Sequence, residues 1–252
     1  VNLYAPGEWR HALTPDNQVT LRQATDYPVG GEVRLTVAHT RPQTYSIRLR
    51  IPAWSRRTML AVNGAEVDAP AASYVELRRE WKDGDTVSLS LDLRGRAIRA
   101  PGSPNQRAVM RGPVVLALDD RLTPADDRSV WLLLDGFEWK HDKAWKLDYA
   151  LLRPAGALPE EMELDLRPVK PPPGVRMAFE VPFLVRPTHF VKHERIVLRM
   201  CDYASAGNRY AEDNLFRVWL PQPLFLRQAY PAGAWRVIVG KDKPRPEPPA
   251  AP

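Results

Sequence analysis

From Ile47 to Leu93 apolar and polar residues alternate with a period of two. Ile47, Leu49 and Ile51 alternate with Arg48 and Arg50. Val87, Leu89, Leu91 and Leu93 alternate with Thr86, Ser88, Ser90 and Asp92. This period puts every second side chain on one face, so each run predicts a strand with one buried and one wet face. Asn63-Gly64, flanked by Leu60, Val62 and Val67, tolerates the positive φ values of a type I′ turn and predicts a hairpin. Lys82-Asp83-Gly84-Asp85 predicts a second turn, from a Tyr74–Trp81 strand into a Thr86–Leu93 strand.

The pattern extends in both directions. Val1–Tyr4 predicts a short strand that Pro6-Gly7 ends. Val19–Gln23 and Val33–Ala38 predict two more, separated by the turn cluster Asp26–Gly31. Arg94–Arg107, rich in Gly, Pro and charge, reads as a break. Val114–Leu118 is continuously apolar and suits a strand covered on both sides. Asp119–Arg128 reads as a polar loop. Pro168–Pro173 reads as a stiff extended loop. Further strands are expected at Arg195–Met200, Leu215–Leu220 and Trp235–Val239, with Asp202–Asn214 as a loop. No segment carries a sustained 3.6-residue period. The expectation is an all-β chain of two consecutive antiparallel β-sandwich, jelly-roll-like domains at 1–108 and 109–240. A disordered Pro-rich tail follows at 241–252.

Composition adjusts this picture in three places. Proline numbers 26 of 252 residues, about twice the average usage of roughly 5%, and punctuates short strands. The formal net charge is +6. The arginines, however, scatter over the polar faces of strands (Arg34, Arg48, Arg50, Arg78, Arg217), without the interleaved aromatics of an RNA-binding surface. Neither a nucleic-acid partner nor a membrane partner is expected. The single cysteine, Cys201, excludes an intrachain disulfide; a reducing compartment is compatible with that, and so is export. The chain opens Val1-Asn2-Leu3-Tyr4 without an initiating methionine and reads as a piece of something longer or a processed product.

Candidate chemistry is sparse. There is no Gly-x-Ser-x-Gly elbow and no phosphate-cradling glycine loop. Cys201 follows a strand that reads as buried, so it is expected to be a core-edge residue rather than a nucleophile. His189 and His193 are the weak metal candidates. Four apart, they share a face on a helix, but on a strand they lie roughly 13 Å apart, too far for one ion. The doublets Asp119-Asp120, Asp126-Asp127 and Glu160-Glu161 read as solvated loop charges. Glycoside hydrolysis needs two carboxyls facing each other about 5 to 9 Å apart, and sequence neighbours on a strand point apart. Trp139 and Trp145, set among charges, are the candidate sugar-stacking residues. Trp54, Trp81 and Trp219 sit in strand contexts and are expected in the core.

Several strings nevertheless converge. VNLYAPGEWR, YPVGGEVRLTV, IRLRIPAWS, VNG, the Trp81–Asp85 turn and VMRGPVVLALD resemble glycoside hydrolase family 127, the β-L-arabinofuranosidase group. The resemblance continues through MCDYASAGN and FRVWLP. It implies an active site in an N-terminal (α/α)6 barrel, where a cysteine nucleophile and a zinc held by cysteines and a glutamate do the chemistry. It also implies β-sandwiches after the barrel, and this chain resembles those sandwiches alone. Cys201 matches neither barrel cysteine and inherits no role. The resemblance therefore implies a chain with no catalytic residue, no cofactor of its own and a catalytic barrel as partner. The alternative is an autonomous carbohydrate-binding or scaffold module that meets plant or microbial glycans through Trp139 and Trp145.

Overall fold

The computed structural model describes residues 1–122, 150–154, 161–185, 195–208, 216–221, 224–226 and 235–239. Every regular element among them is a strand, and every ladder is antiparallel. The chain divides into two compact units, Val1–Leu93 and Arg94–Pro252.

The first unit holds β1 (Gly7–Thr14), β2 (Asn17–Thr25), β3 (Glu32–His39), β4 (Gln43–Ile51), β5 (Met59–Val62), β6 (Ala65–Val67), β7 (Ser73–Trp81) and β8 (Thr86–Ser90). Six of these form one sheet in the order β1-β2-β3-β8-β5-β6, and β4 and β7 form a second, two-stranded sheet. The alternation read from the sequence is what joins them. Ile47, Leu49 and Ile51 of β4, with Leu77 and Trp81 of β7, pack into one buried cluster. The cluster also contains Val19, Val33, Leu35, Val37, Leu60, Val62, Val87, Leu89 and Leu91. This is a sandwich, with the polar Arg48, Arg50 and Arg78 left outside. Trp81 has no exposed surface, and its indole N–H donates to the Tyr45 carbonyl at 3.1 Å.

Both expected turns form, and side chains tie them together. Asn63 and Gly64 have φ of 50° and 83°, the pair of positive values a type I′ turn needs, and Gly84 has φ of 83°. The Asn63 amide donates to Asp85 Oδ1 at 2.8 Å, and Asn63 Oδ1 accepts the Thr86 N–H at 2.8 Å. Asp85 Oδ2 accepts the Lys82 N–H at 2.9 Å. Burial alone would raise the Asp85 pKa; the Lys82 N–H, the Asn63 amide and Arg79 outweigh it and hold the carboxyl below its usual range.

The structure corrects the reading at the N-terminus. Val1–Tyr4 is not a strand; β1 follows it instead. Val1 lies beside β4, its amine donating to the Arg48 carbonyl and its carbonyl accepting the Arg50 N–H at 3.1 Å. The Tyr4 hydroxyl donates to the Arg50 carbonyl at 2.5 Å.

In the second unit the stretch read as a break, Arg94–Arg107, supplies β9 (Gly95–Ala100) and part of β10 (Ser103–Arg111). Beyond them lie β11 (Val114–Asp119), β12 (Ala150–Pro154), β13 (Glu161–Leu164), β14 (Arg167–Val169), β15 (Ala178–Val185) and β16 (Arg195–Asp202). β17 (Phe216–Arg217), β18 (Leu220–Pro221), β19 (Leu224–Leu226) and β20 (Trp235–Val239) complete the series. The main sheet runs β13-β9-β10-β11-β16-β15-β14, with β17, β18 and β19 pairing β11, β10 and β15; β12 pairs β20 separately. Leu116, Ala117, Leu118 and Asp119 are consecutive and all buried, as a strand covered on both faces requires. Pro168, read as loop, sits opposite Phe179 in β14, the terminal strand of the sheet. An edge strand tolerates a residue without an N–H. The tail at 241–252 lies outside the described residues.

Candidate functional site

Two places in the described structure combine unusual exposure or unusual burial. The first is an apolar groove of about 450 Å³ in the first unit, lined by Val1, Leu3, Ala5, Gly7, Glu8, Trp9, Leu21, Gln23 and Leu35. Its origin is a mismatch of layers. Strands lie about 4.8 Å apart, so six strands span about 24 Å and a two-stranded layer covers a fraction of that. At the β1 edge the inner face stays open. Trp9 and His11 sit opposite Leu21 and Val19 in register, hence on the core-facing side. Yet Trp9 is 53% exposed, and Leu3, which also lines the groove, is 79% exposed. The Trp9 and His11 rings stack 5.1 Å apart.

Two polar side chains of the lining, Glu8 and Gln23, make bonds within the chain. Glu8 pairs with Arg22 on the opposite face of the strands, accepting from Arg22 Nε at 2.8 Å and Arg10 Nε at 2.7 Å. These two bonds, Arg22 first, hold its carboxyl below the usual range. Gln23 Nε2 donates to the Ala5 carbonyl at 2.5 Å and the Leu3 carbonyl at 3.3 Å.

The second place is the turn after β16. Asp119 has no exposed surface. Its Oδ1 accepts the Arg121 N–H at 3.0 Å and Arg121 Nε at 2.7 Å; its Oδ2 accepts an Arg121 terminal nitrogen at 2.7 Å and the Gly207 N–H at 3.0 Å. Burial alone would raise the Asp119 pKa, but these donors pull it down to about 2. Arg121 also donates to the Ser205 carbonyl at 2.6 Å and to Asn208 Oδ1 at 3.0 Å. Asp202 accepts the Met177 N–H at 2.9 Å and the Ser205 hydroxyl at 2.7 Å. Every oxygen in this cluster has a donor from the chain itself, so the cluster is a clamp on the turn rather than a ligand site.

The expectations for individual residues fare unevenly. Cys201 is buried, as read. Burial, then Asp119 and Asp202, pushes its thiol up to about 12, the opposite of what a nucleophile or zinc thiolate needs. Among the described residues no group of three His, Cys, Asp or Glu side chains comes together. The residues described here therefore do not fit a zinc held by cysteines and a glutamate. His189, His193, Trp139 and Trp145 lie outside the described residues. Asp119, read as a solvated loop charge, is instead buried because Arg121 folds back onto it. Trp81 is core as expected and Trp54 packs against the core, but Trp219 is 39% exposed. Trp9 and Leu3 were not singled out by periodicity; a tryptophan between Glu8 and Arg10 was the available signal.

Comparison with known proteins adds a family. Residues 1–93 match the family model described as beta-L-arabinofuranosidase, GH127 middle domain. The likeness is to glycoside hydrolase family 127. The match ends where the first compact unit ends. Among solved structures, one glycoside hydrolase superposes with a TM-score of 0.60 at 25% identity, over 87% of this chain and 35% of its own. A GH127 β-L-arabinofuranosidase from Geobacillus stearothermophilus T6 gives 0.57 at 22%, over 87% and 33%. A further GH127 β-arabinofuranosidase gives 0.55 at 20%, over 87% and 34%. The last two show the shared fold. The chain spans about a third of the length of these solved chains. No curated protein matches the chain.

Proposed function

We propose that this chain is the non-catalytic β-sheet portion of a family-127 glycoside hydrolase, in which it supports a separate catalytic barrel. One observation carries the reading: the first unit matches a domain described as the middle domain of that family, end to end. The buried, high-pKa Cys201 supports it, since the chain's one thiol is in no state to attack a sugar. Any zinc belongs in this proposal to the barrel, not to the residues described here. The test is hydrolysis of 4-nitrophenyl β-L-arabinofuranoside by the purified 252 residues. No turnover is expected; turnover above the uncatalysed rate overturns the proposal.

One observation favours a second reading, an autonomous carbohydrate-binding module. Tyr203 and Phe216 are exposed side by side, with ring centroids 6.3 Å apart, and aromatic faces suit the C–H faces of sugars. On this reading the chain is retarded in affinity electrophoresis through arabinan, and Tyr203→Ala removes the retardation. Migration identical with and without polysaccharide rejects it.

A further inference from the structure

We infer that β1 joins the β1 strand of a second copy of this chain, antiparallel and in a single register centred on Trp9. The inference is independent of the function proposed above.

Among the described residues β1 is the terminal strand of the six-stranded sheet, and Gly7 to Ala12 are all exposed. The bonding on its inner side fixes what the outer side presents. The Thr40 N–H donates to the Gln18 carbonyl at 3.3 Å, and the Val37 N–H donates to the Asp85 carbonyl at 2.8 Å. In an antiparallel sheet successive residues turn their backbone polar groups to opposite neighbours. Even-numbered residues of β2 therefore bond toward β3 and odd-numbered ones toward β1. Trp9 lies opposite Leu21, so Gly7, Trp9 and His11 use their groups on β2. Glu8, Arg10 and Ala12 direct theirs off the edge, a row of N–H and C=O groups that templates another strand. No proline interrupts this row, and the register shift of β1 falls after Ala12.

Charge selects both the partner and the register. Alignments of two β1 strands that set Glu8 against Glu8, or Arg10 against Arg10, place like charges opposite one another and are disfavoured. The alignment between them sets Glu8 of each copy against Arg10 of the other, twice by symmetry. On that face Glu8 already accepts from Arg22 of β2 at 2.8 Å, so each carboxylate lies between Arg22 of its own chain and Arg10 of the second copy. On the other face the two half-exposed Trp9 rings meet at a non-hydrogen-bonded position, where side chains come closest. Each His11 lies opposite Gly7, which offers it no side chain to displace. The strand is thus complementary to itself under a two-fold axis, the symmetry of most soluble dimers. One short strand a side is a small interface, so the dimer is weak, with a dissociation constant on the order of 10 to 100 µM.

Sedimentation velocity of the 252-residue chain from about 1 to 300 µM, a range that brackets this constant, tests the association. Monomer is expected at the low end and dimer at the high end. Glu8→Arg and Arg10→Glu each place like charges opposite one another and should weaken self-association about ten-fold or more. An equimolar mixture of the two variants restores both opposite-charge pairs and should dimerise as the parent does, which also shows that each variant is folded. Trp9→Cys should form an interchain disulfide under mild oxidation, because the central pair lies within disulfide reach. His11→Cys should not, since two copies of that residue lie about 13 Å apart along the strands; the parent chain, whose Cys201 is buried, controls for the native thiol. Monomer at every concentration overturns the inference. A dimer that both charge variants leave unchanged lies on another surface and overturns it too. So does a mixture that fails to restore what the single variants lose, or a crosslink at position 11 in place of position 9.

Discussion

Asp119→Asn isolates the clamp on the turn after β16. The substitution keeps the shape of the side chain and removes its charge. One of the two oxygens becomes an NH2 group facing donors: at Oδ1 the Arg121 N–H and Nε, now at 3.0 and 2.7 Å, or at Oδ2 an Arg121 terminal nitrogen and the Gly207 N–H, now at 2.7 and 3.0 Å. Arg121, with only 12% of its side chain exposed, is left without its counter-charge. Removing one partner of a buried ion pair costs about 3 to 5 kcal/mol. The bonds that Asn retains, and those Arg121 keeps to the Ser205 carbonyl and Asn208, bring the expected loss to about 2 to 4 kcal/mol. The wild-type carboxyl offers an independent check. It is depressed in the folded state, so its contribution is complete above its ordinary value of 3.8 and is lost as pH falls through about 2. A shift of that size corresponds to roughly 2 kcal/mol. Urea unfolding followed by near-ultraviolet circular dichroism measures the loss, and amide exchange at Gly207 localises it. A loss under about 1 kcal/mol at neutral pH, with Gly207 exchange unchanged, refutes the clamp. A wild-type stability that does not fall faster than the variant's between pH 4 and 2 refutes the charge argument.

Three further outcomes follow from burial and backbone geometry. Trp81→Ala empties the centre of the first sandwich and removes the bond to the Tyr45 carbonyl; urea titration should show a loss of about 3 to 5 kcal/mol. Gly64→Ala meets open space but must hold φ of 83°, so it should cost about 1 kcal/mol, while Gly7→Ala, also in open space and without a positive φ, should be neutral by the same titration. Cys201, its thiol pushed up to about 12, should not react with Ellman's reagent at pH 8 in the folded chain, where only about one thiol in ten thousand is ionised, and should react fully in guanidinium.

The parts of the fold legible in the sequence are those with one wet face and one dry one. β4, β7 and β8 alternate because each lies in a two-layer sandwich, and Asn63-Gly64 and Gly84 announce their turns through the positive φ only such residues adopt readily. β1 escaped because it is an edge strand with Glu8 through His11 exposed on both faces, so no period of two is imprinted on it. β9 escaped for the opposite reason: Gly95, Arg96 and Ala97 are all buried, two of them small and one charged. Arg96 is held there by Glu161 at 2.9 Å and the Gly112 carbonyl at 2.9 Å, partners 65 and 16 positions away. The buried Asp119 was illegible in the same way, because its neutralisation depends on how Arg121 turns, which composition does not encode. Trp9 was visible as a residue but not as a site, since its exposure follows from how few strands lie opposite β1.

The same contrast bears on function. A polar cluster binds a ligand only if it has bonding capacity left over. Around Asp119 and Asp202 the chain consumes that capacity internally, with a backbone or side-chain donor on each carboxylate oxygen. The groove at β1 differs: Leu21 and Leu35 carry core-side apolar surface into it beside the exposed Trp9, with Glu8 and Gln23 also in the lining. Polar groups already satisfied favour rigidity, and apolar surface not yet covered favours association. Glycoside hydrolysis needs carboxyls or a thiolate held unsatisfied at a water-accessible sugar site. The satisfied cluster of the second unit therefore accounts for the rigidity of its turn, while the supporting role proposed above rests on the family likeness and on the buried Cys201 thiol.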